Sequence, residues 1–199
     1  MSRVRTRPTR DDTCEKLFEA AARVFEEQGI GGASIEAIAA AAGFSRGAFY
    51  SNFKSKDELI IAMMEDHVAQ SIRRNLDLLA RHKNLADFID ALKTMDRSRQ
   101  DPLGRSPLLH MEMILFVARA EKRRPELAER LRARRKLIAD IVETTAQNSG
   151  KNAVNPTWTG AVVLALEDGF RLHRLIDPET TPADSFLRAI GDLRKAVGS

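Results

Sequence analysis

The chain has 199 residues, 43% hydrophobic and 30% charged, and its 32 Lys and Arg against 28 Asp and Glu leave a formal net charge of +4. That length buries a good core in one or two domains without staples. The single cysteine, Cys14, excludes an intramolecular disulfide, and with no metal-type Cys/His spacing it points to a reduced, cytoplasmic protein.

No apolar run of signal-peptide length follows Met1, and no stretch approaches the ~18 uninterrupted apolar residues of a membrane span, so no membrane partner is expected. The basic balance is a mild bias toward anionic partners, and its placement says more. The first ten residues, MSRVRTRPTR, carry Arg3, Arg5, Arg7 and Arg10 with no acid. They read either as a solvated start to the chain or as an arm that reaches phosphates or a groove.

Apolar residues recur three and four apart in nearly every segment, which predicts an all-α protein of about nine helices. The first starts near Thr9 and carries Leu17, Ala21, Val24 and Phe25 on one face as far as Gly29. Ser34 caps a second, short and Ala-rich, that runs to Gly43. Ser45 opens a third from Arg46 to about Phe53, with Phe49 and Phe53 one turn apart facing inward. Ser55 and Glu58 form a capping box for a fourth, whose Leu59, Met63, Val68, Ile72, Leu76 and Leu79 carry it to about residue 80. At about 1.5 Å per residue it spans roughly 35 Å, longer than the module before it. Asn84 and Asp87 cap the next, and QDPLGRSP breaks the chain before Ser106 and Pro107 open another. Pro125, Asn155-Pro156 and Thr181-Pro182 open the last three.

The second and third helices, joined by Ala42-Gly43-Phe44-Ser45, have the layout of a helix-turn-helix, in which the third helix enters the major groove of double-stranded DNA. The side chains suit that work. Arg46 can give paired hydrogen bonds to a guanine edge and Asn52 can pair with adenine, while Gly47 and Ala48 allow close approach. Ser34, Ser45, Tyr50, Lys54 and Lys56 suit phosphate oxygens. Each has a plainer reading: Tyr50 can pack the module's edge, the two serines can serve only as caps, and the lysines can be solvated charges. Cations at a helix start oppose the helix dipole, however, and an adjacent polyanion supplies a reason for them.

Residues 9–59, "TRDDTCEKLFEAAARVFEEQGIGGASIEAIAAAAGFSRGAFYSNFKSKDEL", resemble the DNA-binding domain of the TetR family of bacterial transcriptional repressors. "LFEAAARVFEEQG", "SIEAIAAAAGFSRGAFYSNF" and "SKDEL" fall in the family's order and spacing. The resemblance implies recognition-helix roles for Ser45, Arg46, Gly47, Ala48, Tyr50 and Asn52, and backbone-contacting starts of helices at Ser34 and Lys56. Ala48 departs from the pattern, standing where members often carry Thr or Ser, and contact with a thymine methyl can replace the missing hydroxyl. The implied domains are a basic arm and helix-turn-helix over 1–56 and a ligand-binding and dimerisation domain over 57–199. "NPTWTGAVVLALEDGFRLHRLI" and "PADSFLRAIGDLRKAV" look like the pair that makes a four-helix bundle in a family homodimer. Two-fold symmetry implies a palindromic operator with half-sites roughly 34–36 Å apart.

For a mostly hydrophobic small-molecule effector the candidates are Met63, Phe88, Met95, Met111, Met113, Phe116, Trp158 and Phe170, with His67, His110 and His173 as polar contacts. Stripes of this kind are more often plain core, and scattered histidines are more often structural than metal-binding. No nucleophile–base grouping, Gly-rich phosphate loop or HExxH motif is present, and the acids of "EDH" (65–67) and "LED" (166–168) are ordinary for so charged a chain, so neither catalysis nor a cofactor is expected. The rival to a specific regulator is a sequence-independent DNA-coating protein, which phosphate contacts alone would serve.

Overall fold

A computed structural model describes residues 9–82, 85–94, 106–121, 124–148, 150 and 155–197. These are all-helical, with nine α-helices among the described residues: α1 (Arg10–Gly32), α2 (Ile35–Ala41), α3 (Arg46–Tyr50), α4 (Lys56–Arg81), α5 (Leu85–Thr94), α6 (Pro107–Arg119), α7 (Arg124–Asn148), α8 (Pro156–Ile176) and α9 (Ser185–Val197).

Caps set the starts. Thr9 and Asp12 form a reciprocal capping box on α1, and the bonds from Thr9 hold the Asp12 carboxyl below its ordinary pKa. The hydroxyls of Ser34 and Ser45 accept from the amides of Ala37 and Ala48, and the Asn155 side chain accepts from the Trp158 amide. At α4 the box is displaced by one residue. Ser55 Oγ accepts from the Glu58 amide, whereas the Glu58 carboxylate accepts from the Lys54 amide at 2.7 Å. The end of α1 also differs from expectation: helical turns resume after a break at Gly29 (φ 70°, ψ 159°) and continue to Gly32. The third helix is shorter than the sequence predicts, ending at Tyr50, with Phe53 inward beyond it.

The chain divides into two compact units, one of residues 1–67 and 100–119, the other of 68–99 and 120–199. The first therefore runs beyond residue 56 and takes in the opening turns of α4 together with α6. Leu17, Phe25, Ile38, Phe49, Leu59 and Ile60 are fully buried there, and Phe53 joins them through ring contacts with Phe18 (5.8 Å) and Phe49 (5.9 Å). Gly43, at φ 74°, makes the turn between α2 and α3 in a region that a side chain with Cβ adopts only at a cost.

In the second unit α7 and α8 pack at close range. A Cβ at Gly160 would lie 2.5 Å from the Arg135 carbonyl oxygen and 3.2 Å from the Ala139 nitrogen, so only glycine fits at that crossing. Beside it, Arg134 pairs with Glu167 at 3.0 Å, and Arg171 pairs with both Glu167 (3.0 Å) and Asp168 (3.1 Å). Leu187 of α9 is buried in the same unit.

Candidate nucleic-acid interface

The turn at Gly43 and the cap at Ser45 leave α3 seated on its inner face by Phe49, fully buried, while Arg46, Gly47 and Tyr50 stay exposed. The burial is what aims the polar face. Phe49 fixes the helix rotationally, so that Gly47 and Tyr50, two and one positions away, are turned outward, while Arg46 stays exposed in the first turn. Arg46 Nη1 pairs with Glu36 Oε1 at 3.0 Å across the α2–α3 angle, and its guanidinium lies 5.5 Å from the centroid of the Tyr50 ring. The Tyr50 hydroxyl first, then the Glu36 carboxylate, hold the guanidinium pKa above its ordinary value.

Ser34, Ser45 and Lys54 are exposed around this face, and Ala48 is half-buried beneath it. A capping hydroxyl accepts from the backbone and still has its own proton to give a phosphate oxygen. Two expected contacts have other partners. Lys56 Nζ donates to the carbonyls of Ile30 (2.6 Å) and Ala33 (2.9 Å), closing the end of α1, so a protein partner explains the cation at the start of α4 without a polyanion. Asn52 Nδ2 donates to the Ala48 carbonyl at 2.8 Å, and its Oδ1 accepts from the Cys14 thiol at 3.8 Å, which turns the amide toward α1. Burial pushes the Cys14 thiol pKa up.

The effector candidates separate. In the first unit Met63, His67, His110 and Met113 are buried and Met111 and Phe116 half-buried; the rings of His67 and His110 meet edge-on with centroids 4.8 Å apart. In the second, Phe88 is buried and Phe170 half-buried, but Trp158 (66% exposed) and His173 face outward. Met95 lies outside the described residues. Among the described residues no three His, Cys, Asp or Glu side chains are grouped to hold a metal ion, and no helix is long and apolar enough to cross a membrane.

Two family models match the chain, one of them over the helix-turn-helix. Residues 17–63 match "Bacterial regulatory proteins, tetR family", and residues 84–196, more than half of the chain, match "Tetracyclin repressor-like, C-terminal domain". The chain belongs to the TetR family. It is a helix-turn-helix transcriptional regulator and not an enzyme. It is 34% identical over 91 residues to the HTH-type transcriptional regulator TtgR of Pseudomonas putida, a match that spans 46% of this chain and only 41% of that relative. A longer match, 28% identical over 88% of this chain and 85% of the relative, is to the regulator PksA of Bacillus subtilis. Among solved structures, a TetR-family regulator from Cytophaga hutchinsonii superposes with a TM-score of 0.71 at 18% identity, covering 96% of this chain and 98% of that one. Reduced NemR of E. coli gives 0.63 at 20% identity, with 91% and 97% covered. At those identities the structural likeness speaks for the TetR fold alone.

Sequence reasoning passed over Glu36, since an acid in the first turn of a helix is explained by the dipole. Its partner is ten positions on in the next helix, and a tight turn places the start of α3 beside the end of α2, so no local signal joins Glu36 to Arg46.

Proposed function

We propose that this regulator is a ligand-responsive repressor that binds a palindromic operator as a homodimer through its last two helices, α8 and α9, and is released by a small, mostly hydrophobic effector. The observation that carries the reading is the outward face of α3, where Arg46 and Tyr50 stand exposed on a helix anchored by fully buried Phe49. Arg46 reads a base edge, and Ser34, Ser45, Tyr50 and Lys54 position the module on phosphates.

The dimer is supported by what α8 leaves uncovered. Gly160, Leu164 and Glu167 lie toward α7, and the opposite side carries Trp158, Leu172 and Ile176, all exposed, at helical spacing. Leu193 of α9 is exposed too. An apolar stripe of this kind on the two terminal helices suits a second copy of itself. The buried Met63 and Met113 support an apolar effector, and α4, whose residues fall in both compact units, supports coupling between effector and DNA.

The test is selection of binding sites from a random double-stranded DNA pool at near-physiological salt. The expected result is an enriched palindrome with fixed spacing. Binding without enrichment, lost all at once as salt rises, would instead mark a sequence-independent coating protein.

A further inference from the structure

Glu36 is out of place on a surface meant for DNA. It stands exposed in the first turn of α2, beside the residues that face phosphates, where a carboxylate repels the ligand. Its helix-dipole role accounts for an acid there but not for its partner. The ion pair with Arg46 is exposed at both ends, 55% and 64% by side chain, so solvent screens it and it holds the arginine only weakly. That is too weak to withhold the arginine from a guanine edge, which offers it two parallel hydrogen bonds. A single exposed phosphate contact is a screened ion pair of the same kind, so the carboxylate competes with it directly.

Arginine has many rotamers and, unrestrained on an exposed helix start, reaches any nearby phosphate. Here two groups restrain it at once, the carboxylate at Nη1 and the Tyr50 ring against the guanidinium. Resting on the sequence-specific reading proposed above, we infer that Glu36 is a specificity-determining positioning residue: it holds Arg46 over Tyr50, ready for a base edge, and opposes capture of that arginine by phosphate. Glu36 thus sharpens discrimination by weakening non-specific binding more than it weakens specific binding.

The experiment compares the unaltered protein, Glu36→Gln, Arg46→Ala and the double variant. Each is put through the same random-duplex selection, and each is titrated with a random-sequence duplex by fluorescence anisotropy, with helical content checked by circular dichroism. Glu36→Gln is expected to bind the random duplex about two- to fivefold tighter per reading head and to lose base preference at one pair of symmetry-related positions. Arg46→Ala should lose preference at those same positions, and the double variant should match Arg46→Ala. Unchanged preference and random-duplex affinity in Glu36→Gln would overturn the proposal. So would a Glu36→Gln effect that persists in full without Arg46, because the carboxylate would then act on phosphates directly. Failure of the unaltered protein to enrich any sequence is a different result, which removes sequence-specific reading itself.

Discussion

At the scale of single residues, the amide of Asn52 is occupied within the protein. Its bond to the Ala48 carbonyl closes the end of α3, and its oxygen faces Cys14. Asn52→Ala is therefore expected to lower stability by about 0.5–1.5 kcal/mol, seen as a lower denaturant midpoint, while the selected base preference stays the same. A changed preference would show that the amide swings out to a base. Asp168 makes a second residue-scale case. Desolvation raises its pKa above 3.8, with Arg171 and Arg134 opposing. The folded state then takes up a proton at higher pH than the unfolded chain, so this group costs stability when ionised and the cost is relieved as pH falls toward 3.8. Asp168→Asn should flatten that part of the stability–pH curve, as measured by denaturant titrations across the acid range. A curve still rising as steeply toward acid would assign the proton to another group.

At the scale of elements, the contacts that matter are those that hold one helix against the next. Lys56 of α4 gives hydrogen bonds to two carbonyls at the end of α1, groups that a helix terminus otherwise leaves without intrahelical partners. Lys56→Met is expected to cost about 1–2 kcal/mol, since bonds from a charged donor are among the stronger ones. Its effect on the salt dependence of DNA binding should be nil. A slope reduced by about 0.9 per lysine lost would instead reveal a phosphate contact. Gly160 plays the matching part between α7 and α8. Gly160→Leu drives side-chain atoms into the Arg135 carbonyl, which is backbone and cannot rotate aside, so a loss of about 1–3 kcal/mol or more is expected in thermal or chemical unfolding.

At the scale of the whole molecule, the proposed homodimer rests on the exposed stripe of α8. Leu172→Glu with Ile176→Glu places two carboxylates where two apolar side chains would be buried, each worth about 1.5–3 kcal/mol, so dimerisation should weaken about a hundredfold or more in sedimentation equilibrium. Trp158 is the only tryptophan and stands on the same stripe, which makes its emission a direct reporter: dilution of the unaltered protein into monomer should shift it to the red. Emission independent of concentration, with unchanged sedimentation of the double variant, would place the dimer contact elsewhere.

The sequence by itself determined the helices and their order, because caps and three–four periodicity are local signals: Ser34, Ser45, Ser55, Pro107 and Asn155-Pro156 all stand where a helix begins. It also carried the family, since a helix-turn-helix is a short local pattern of apolar, glycine and capping residues. The partners of polar side chains were decided only in three dimensions. Lys56 and Ile30 are 26 residues apart and Asn52 and Cys14 are 38 apart, and no periodicity relates them. Exposure was decided there too. Trp158 and His173 have the composition of pocket residues, yet the close crossing at Gly160 turns the Trp158 side of α8 outward. A side chain's type sets what chemistry it can do, and the packing of its backbone against distant segments sets whether it meets solvent, another helix or DNA.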